Sequence, residues 1–403
     1  MREHGQPITT PGLVIPDPVN YDIGREKVVE TDSDLRTEEM LINMGPQHPS
    51  THGVLRVMLR TDGELILEAT PHIGYLHRCA EKIGENVQYH QFVPYTDRFD
   101  YLAAMNNNLA YAMAVEKLAG IEAPKRAQYI RVIVAELNRI ASHLVMFGTY
   151  GLDMGAFTPF IYGFRERELI LDLFEAACGA RLTYSYVTIG GVREDLPEGW
   201  VRKAGEFLDY FQPKIKEYND LLSYNQIFIK RTANVGVIPA DRAIAYGLSG
   251  PVLRGSGVKW DLRKATPDLV YDQLEFDICV GEGRMGQVGD SWDRYFVRIL
   301  EMVQSARIVR QALAKLPSGD YRAKVPRLLK PPPGEVYYET ENPRGQLGFY
   351  IVSDGSPVPY RLKARGPSFC NLSILNEVAK DCLLGDIPAI LGSIDVVMGE
   401  VDR

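Results

Sequence analysis

GPQHPSTHG, residues Gly45–Gly53, combines two histidines, two prolines and two hydroxyl side chains. Because a proline follows Gly45 and His48, both residues are biased away from helical backbone angles, and neither proline can donate to a strand ladder. The stretch is therefore predicted to be a stiff loop. A lone loop histidine is usually a solvated surface group, but two on such a loop make a functional role an equally good interpretation.

The residues after this loop predict where it is anchored. Val54–Arg60 and Glu64–Ala69 are rich in valine, leucine and isoleucine, and Thr61-Asp62-Gly63 between them is a strong hairpin signal. The loop is therefore expected to lead into a β-hairpin, which gives it a rigid base.

Composition bounds the class of protein. The chain has 403 residues, of which 45% are hydrophobic and 24% charged, as in an ordinary globular protein. A net charge of -7, without a long lysine or arginine run, argues against nucleic acid as a partner. Five cysteines without a CxxC pair argue against a disulfide framework, a zinc ribbon or an iron-sulfur cluster held by this chain alone.

The patterning predicts an α+β chain of five segments. These are an extended N-terminal arm (1–37) without a signal peptide, a β-rich region with the histidine loop (38–99), an α-helical bundle (100–316), a proline-rich linker (317–334) and an α+β C-terminal region (335–403). Apolar spacing predicts helices from near Asp100 to Gly120, from Lys125 onward, and over Tyr162–Ala177, Trp200–Leu222 with a kink at Pro213, and Ser291–Leu316. Predicted C-terminal strands are Glu335–Thr340, Gln346–Val352 and Val358–Lys363.

Leu144–Phe164 is the most apolar stretch, and Asp153 is its only charged residue. Four glycines and Pro159 interrupt it, so it is predicted to be buried, irregular backbone and not a membrane span. A buried Asp153 must be paired, hydrogen-bonded or protonated, because an isolated buried carboxylate is too costly. The alternative is a turn aspartate that faces solvent.

Several long motifs carry a family resemblance from about Glu38 to Arg403. They include GPQHPSTHGVLR, PHIGYLHR, ELNRIASHL, FRERELILDLFE, SGPVLRGSGVKWDLRK, GDSWDRYFVRILEM, NPRGQLGFYIVSDGSPVPYRLKARGPSF and DVVMGEVDR. The chain resembles the D subunits of bacterial NADH:quinone oxidoreductase, respiratory complex I, which in turn resemble the large subunit of [NiFe] hydrogenases. The resemblance implies a hydrogenase-like fold with a central helical bundle, an N-terminal β-hairpin region and a small C-terminal β-rich unit. The chain has no Walker A or GxGxxG loop, which argues against NADH or ATP binding by this chain itself.

The hydrogenase alternative can be tested on the metal ligands. Those enzymes hold nickel and iron with four cysteines in R-x-C-x-x-C and D-P-C-x-x-C settings, which correspond here to Arg98–Ala103 and Asp395–Glu400. All four thiolates are replaced, so no metal site is expected and hydrogen activation is disfavoured.

The resemblance instead implies a quinone headgroup in the old metal cavity. Tyr101 resembles the family's tyrosine that hydrogen-bonds one quinone carbonyl, and His52 resembles the histidine that reaches the other. Asp153 matches the acidic partner of that histidine. Without the family, Tyr101 would be interpreted as a core tyrosine. These three residues are the predicted catalytic set, with His52 and Tyr101 binding quinone.

Other positions are implied by the same resemblance. Arg78 matches an arginine that lies against the terminal iron-sulfur cluster of a partner protein. Cys79 stands where the family usually has glycine and is expected to be a small apolar filler, and His48 is expected to shape the loop. Thr183 stands where many members have a histidine near the cluster.

The family also implies cofactors, partners and a location. This chain binds no cofactor alone; quinone is the substrate, and the iron-sulfur cluster comes from a partner. Expected partners are the iron-sulfur subunit that carries this cluster, the C and I subunits, and the H subunit of the membrane arm. The expected location is peripheral, on the cytoplasmic side of the bacterial inner membrane. Two alternatives remain: a related complex whose electron donor is ferredoxin, and a non-catalytic scaffold with the same fold.

Overall fold

The computed structural model describes residues 39–403, so the predicted arm, residues 1–37, lies outside the described residues. The N-terminal region is a three-stranded antiparallel sheet in the order β1 (Glu39–Met44), β2 (Arg56–Asp62) and β3 (Leu65–His72). The predicted hairpin is confirmed, although Asp62 still pairs with Leu65 and the turn therefore lies at Gly63 and Glu64. Strand β1 was not predicted. Because of it, the histidine loop joins two neighbouring strands.

The central part of the chain is helical. Its first elements are α1 (Ala80–Gly84), α2 (Tyr89–Thr96), α3 (Ala104–Ala119), α4 (Lys125–Asp153), α5 (Thr158–Cys178) and the two-residue strands β4 (Val187–Thr188) and β5 (Gly191–Val192). They are followed by α6 (Trp200–Phe211), α7 (Lys214–Tyr218), α8 (Gln226–Thr232), α9 (Ala240–Ala245), α10 (Gly250–Gly255), α11 (Leu262–Ala265) and α12 (Ser291–Ala314).

Two helix boundaries differ from the prediction. The helix expected from Asp100 begins at Ala104, because Asp100 accepts a hydrogen bond from the amide of Leu102 and holds a tight turn before it. The helix expected over Trp200–Leu222 with a kink at Pro213 is interrupted there: α6 ends at Phe211, and helical backbone resumes at Lys214 and continues to Ser223. Pro213 lacks an amide hydrogen, which separates α6 from α7.

The prediction of irregular backbone over Leu144–Phe164 was wrong for most of its length. Helix α4 continues through Gly148 and Gly151 to Asp153, and α5 begins at Thr158. The glycines serve close helix packing: a Cβ at Gly148 would lie 2.9 Å from Cα of Phe160. Their role is therefore to let α5 approach α4, and not to break the helix.

Helices α4 and α12 are buried on nearly all sides, and many of their charged and polar residues are buried as well. The two polar stripes face each other. Nε2 of His143 on α4 lies 2.9 Å from Oε2 of Glu301 on α12, and the Ser305 hydroxyl donates to Glu136 over 2.6 Å. The bundle therefore contains a row of buried polar and charged contacts between α4 and α12, which includes Glu136, His143, Glu301 and Ser305 and is called the seam below.

The C-terminal region is a second three-stranded antiparallel sheet with four short helices. Its elements are β6 (Gly334–Asn342), β7 (Gly345–Ser353), β8 (Arg361–Arg365), α13 (Pro367–Leu372), α14 (Leu375–Ala379), α15 (Ile387–Ile394) and α16 (Met398–Asp402). The third strand begins at Arg361 and not at Val358, because Pro359 cannot donate to the ladder. Helix α16 is buried. Within residues 39–403, no helix combines the length and apolar character needed to cross a membrane.

Candidate functional site

The histidine loop is held in shape by its own residues. Gly45 has a φ of +85°, and a Cβ there would lie 2.1 Å from the carbonyl oxygen of Leu55, so only glycine fits. His48 caps the single turn that follows it, because its Nδ1 accepts the amide hydrogen of Ser50 over 3.2 Å. This agrees with the loop-shaping role predicted for His48. His52 follows this turn, with a φ of +50°.

His52 and Asp153 lie together. Nε2 of His52 is 3.7 Å from Oδ2 of Asp153, and the side chains are 15% and 8% exposed. The alternative of a solvent-facing Asp153 is therefore excluded. The separation is too long for a hydrogen bond, and neither atom has another hydrogen-bond partner among the described residues.

Burial raises the pKa of Asp153, although His52, the Ser50 hydroxyl and His48 oppose this effect. The carboxyl group is therefore easier to protonate than a solvated aspartate. A ligand group or a water molecule between Nε2 of His52 and Oδ2 of Asp153 would give both atoms a hydrogen-bond partner.

Tyr101 lies in the tight turn before α3 and is half-buried. Burial and the charge of Asp100 raise the pKa of its hydroxyl, against the opposing charges of Arg344 and Arg78. The phenol therefore stays protonated at neutral pH, and it can donate a hydrogen bond.

Arg78 links the segment after β3 to the C-terminal residues by hydrogen bonds. Its Nη2 donates to the carbonyl oxygens of Arg98 and Gly399 over 2.7 and 3.1 Å, and its amide donates to the carbonyl of Arg403. The side chain as a whole is exposed, and partial burial lowers the pKa of its guanidinium. Arg78 and Tyr101 are close enough to interact electrostatically.

Cys79 does not fill an apolar gap in this chain, contrary to expectation. It is exposed and has a φ of +56°, in the left-handed region. That backbone conformation explains why glycine would suit the position. Thr183 lies in the loop between α5 and β4.

Helix α15 lies near both Asp153 and the residues around Tyr101. In its last turn, a Cβ on Gly392 would lie 3.1 Å from Oδ2 of Asp153. At its end, Asp395 accepts a hydrogen bond from Arg344, which also binds Asp100 beside Tyr101. Within residues 39–403, no hydrogen bond joins His52 directly to Tyr101. The structure thus brings His52 to Asp153 and Tyr101 close to Arg78, and both sets of residues are linked to the C-terminal end of α15.

Sequence reasoning missed a buried cluster of carboxyl and guanidinium groups next to Tyr101. Nη1 of Arg344 donates to Oδ2 of Asp100 over 2.7 Å, and its Nη2 donates to Oδ1 of Asp395 over 3.2 Å. Nε of Arg298 lies 3.6 Å from Oδ2 of Asp395, and Glu400 is fully buried nearby. The NPRG segment lies between two predicted strands, and its sequence gives no signal that Arg344 points inward.

The seam between α4 and α12 was also missed as a buried feature. Burial alone would raise the pKa of Glu136, but Arg139 and Arg263 lower it to about 2. Burial lowers the pKa of His143 to about 4, against the opposing charge of Glu301. The available signal was the spacing of charged residues by three or four positions within otherwise apolar helices.

A cavity of about 570 Å³ opens elsewhere, lined in part by His90, Arg193, Arg322 and Arg327. None of the predicted site residues lines it. Among the described residues, no group of three or more His, Cys, Asp or Glu side chains has the arrangement of a metal site.

Comparison with known proteins agrees with the motifs. The sequence model of the family "Respiratory-chain NADH dehydrogenase, 49 Kd subunit" matches residues 153–332 and 325–403. A protein of Chlorobium luteolum, named as the D subunit of NADH-quinone oxidoreductase, is 56% identical over 382 residues, covering 94% of this chain and 97% of its own. Its namesake in Chlorobium chlorochromatii is 54% identical over 393 residues, covering 96% and 98%. A protein of Anaeromyxobacter dehalogenans, named as a D 2 subunit of the same enzyme, is 54% identical and covers 94% and 100%.

The mixed helix and sheet fold and these matches define a component of an oxidoreductase complex. The chain belongs to the family of the 49-kDa subunit of respiratory-chain NADH dehydrogenase, whose bacterial members are named as the D subunit of NADH-quinone oxidoreductase.

Proposed function

We propose that this chain forms much of the quinone-reduction site of a proton-translocating NADH:quinone oxidoreductase. The observation that carries this proposal is the His52–Asp153 pair, whose facing atoms are buried, 3.7 Å apart and without hydrogen-bond partners among the described residues. Buried polar groups in native proteins are normally satisfied, so an orphaned pair is a candidate for binding a ligand.

Quinone reduction consumes two electrons and two protons, and both carbonyl oxygens become hydroxyl groups. In the proposed arrangement the neutral hydroxyl of Tyr101 donates a hydrogen bond to one carbonyl, and His52 donates to the other. Asp153 orients the imidazole and supplies a second protonatable group beside it. Tyr101 suits its task because its raised pKa keeps the donor hydrogen in place.

Electrons reach the quinone from the terminal iron-sulfur cluster of a partner protein. Arg78 is proposed to lie against that cluster, and its remaining N–H groups are available because only its Nη2 is engaged with Arg98 and Gly399. A guanidinium near a cluster stabilises the reduced form and raises its potential.

The proposed setting is the peripheral arm of the complex, on the cytoplasmic side of the bacterial inner membrane. The partners are the iron-sulfur subunit with the terminal cluster, the C and I subunits, and the H subunit of the membrane arm. In this proposal the fold has the arrangement of the hydrogenase large subunit, with the segments 38–99, 100–316 and 335–403 around a linker at 317–334, preceded by an arm at 1–37.

A related complex with ferredoxin as electron donor would use the same site, since the donor binds elsewhere in the assembly. The neighbouring genes discriminate between the two complexes: a gene for a flavin-containing protein that binds NADH supports NADH as the donor. A scaffold role is discriminated by the substitutions below.

The test uses Tyr101→Phe and His52→Ala in the assembled complex. Each should lower quinone reduction by roughly 10²-fold, the usual worth of a positioned proton donor, without changing NADH oxidation by an artificial acceptor. Tyr360→Phe is the matched control, because Tyr360 is 71% exposed. Wild-type quinone reduction in both variants would refute the assignment.

A further inference from the structure

Three buried carboxyl groups and two guanidinium groups meet beside Tyr101. The carboxyl groups belong to Asp100, Asp395 and Glu400, and the guanidinium groups to Arg298 and Arg344. If all five were ionised, these buried groups would carry a net charge of -1. Arg78, the other cation near Tyr101, is exposed and forms no ion pair with any of the three carboxyl groups among the described residues. Burying such a charge is costly, and a protein avoids the cost by protonating one carboxyl group.

The hydrogen bonds single out the carboxyl group that holds the proton. Asp100 accepts from Arg344 over 2.7 Å and from the amide of Leu102 over 3.2 Å. Asp395 accepts from Arg344 over 3.2 Å and lies 3.6 Å from Arg298. Both carboxylates therefore contact a guanidinium directly.

The carboxylate form of Glu400 is stabilised by fewer contacts than those of Asp100 and Asp395. Its Oε2 accepts a hydrogen bond from the amide of Ser368 over 2.9 Å, and the Ser368 hydroxyl also favours the anion. Its Oε1 is buried without a partner among the described residues, and no guanidinium group is hydrogen-bonded to the carboxyl group. Its side chain packs against Gly366, where a Cβ would lie 2.8 Å from its Cγ. An anion at this position is the least stabilised of the three.

We propose that Glu400 stores the excess proton of this cluster, and that its ionisation sets the charge beside Tyr101. Glu400 is a positioning residue in this role, because it acts on Tyr101 through Asp100 and Arg344. The link to quinone chemistry rests on the proposed function, but the stored proton does not.

The charges around Glu400 agree with a proton held at this residue. Burial and the charge of Asp100 raise the pKa of Glu400 to about 7, and Ser368 and Arg344 oppose the rise. The ionisable groups that face Glu400 come from the turn before α3 (Asp100) and the turn between β6 and β7 (Arg344). Across the same cluster, Asp395 and Arg298 complete the set of charges.

Ionised Glu400 would add negative charge next to Asp100, which already raises the pKa of Tyr101. A more negative cluster would make the phenol harder to deprotonate and would disfavour negative charge on a quinone beside it. Quinone reduction should therefore slow as pH rises through about 7 and Glu400 loses its proton.

The experiment compares the wild-type complex with Glu400→Gln and with the control Glu377→Gln, whose carboxylate forms a partly exposed pair with Arg242. Infrared spectra at about pH 5.5 and about pH 8.5 bracket the titration of the buried acid. The wild type and the control should show the carbonyl band of a protonated carboxyl group that disappears at the higher pH. The part of this band that Glu400 contributes should be missing from E400Q at both pH values, whereas the parts from Asp268 and Asp293, whose pKa values burial raises to about 6 and about 7, should remain. The alkaline fall in quinone reduction should disappear with the Glu400 part.

A band of wild-type size in E400Q, or an unchanged alkaline fall in that variant, would overturn the proposal. Should E400Q fail to assemble, Glu400→Asp replaces it: the band must remain, and its midpoint pH must move, whereas an unmoved midpoint contradicts the assignment. The infrared result needs no turnover. Failure of the quinone site itself would appear instead as normal quinone reduction in Y101F and H52A, with the Glu400 band intact.

Discussion

At the scale of a single residue, the burial of Asp153 makes the stability of the fold depend on pH. Its carboxyl group is buried at the end of α4 and has no hydrogen-bond partner on Oδ2 among the described residues. Its raised pKa means that the folded chain binds this proton more tightly than the unfolded chain. The stability that this provides is therefore present at low pH and is lost as pH rises.

Asp153→Asn removes this titration and keeps the shape of the side chain. Quinone reduction by the assembled complex should fall roughly 10²-fold, because the amide cannot stabilise a charged His52 or hold a proton. The midpoint of thermal unfolding at alkaline pH should not fall, since an unsatisfied buried charge has been removed. Asp172→Asn, at an exposed pair with Arg181, is the control. Wild-type quinone reduction in D153N would show that Asp153 takes no part.

Tyr101 and His52 show which features of single residues can be predicted from the sequence. The family motifs named both residues, and proline and glycine spacing correctly predicted a shaped loop around His52. The partners of Tyr101 were not predictable, because Asp100, Arg344 and Asp395 are far apart in the chain and meet only through tertiary packing. Sequence also provided no measure of how buried Glu400 is.

At the scale of elements, the long helices and both hairpins were predicted because their apolar spacing is regular. The exception is the end of α4, where glycine was interpreted as a helix breaker. Gly148 and Gly163 instead let two helices cross closely, and a Cβ at Gly163 would lie 2.8 Å from the carbonyl oxygen of Leu144. Local propensity cannot reveal such a contact, because its cause lies on another helix.

Gly148→Ala tests that explanation against Gly205→Ala. A Cβ at Gly148 would lie 2.9 Å from the backbone of Phe160, so the free energy of unfolding should fall by ~1–3 kcal/mol through forced helix separation. Gly205, in α6, has open space around its Cβ position, so alanine there should stabilise the chain by ~0.5–1 kcal/mol. Urea unfolding of the full chain measures both. Equal effects of the two substitutions would contradict the close-packing role.

At the scale of the whole molecule, ionisable groups run through the interior from Tyr101 to the seam between α4 and α12. Arg298 links the two parts, because it faces Asp395 on one side and Glu301 on the other. Such groups rarely add net stability over an apolar core, so their presence indicates a function that needs charge inside the protein.

The pH dependence of folding should report the stored proton. Glu400 has a folded pKa of about 7 against 4.5 for the free group, so its contribution is complete below about 4.5 and is lost as pH rises to about 7. Relative to wild type, E400Q should therefore gain ~3 kcal/mol between about pH 4.5 and about pH 8. Urea unfolding of the full chain at both pH values measures this gain. A difference that does not change with pH would mean that Glu400 titrates normally.

Labelling with a photoreactive quinone analogue, mapped by mass spectrometry in the assembled complex, tests the quinone site most directly. The labelled peptides should contain Gly45–Gly53 and Tyr101, and excess unlabelled quinone should suppress both labels. The opposite result is quinone-protected labelling confined to the cavity at Arg193 and Arg322, or to other proteins of the complex. That outcome would place quinone reduction away from His52, Asp153 and Tyr101.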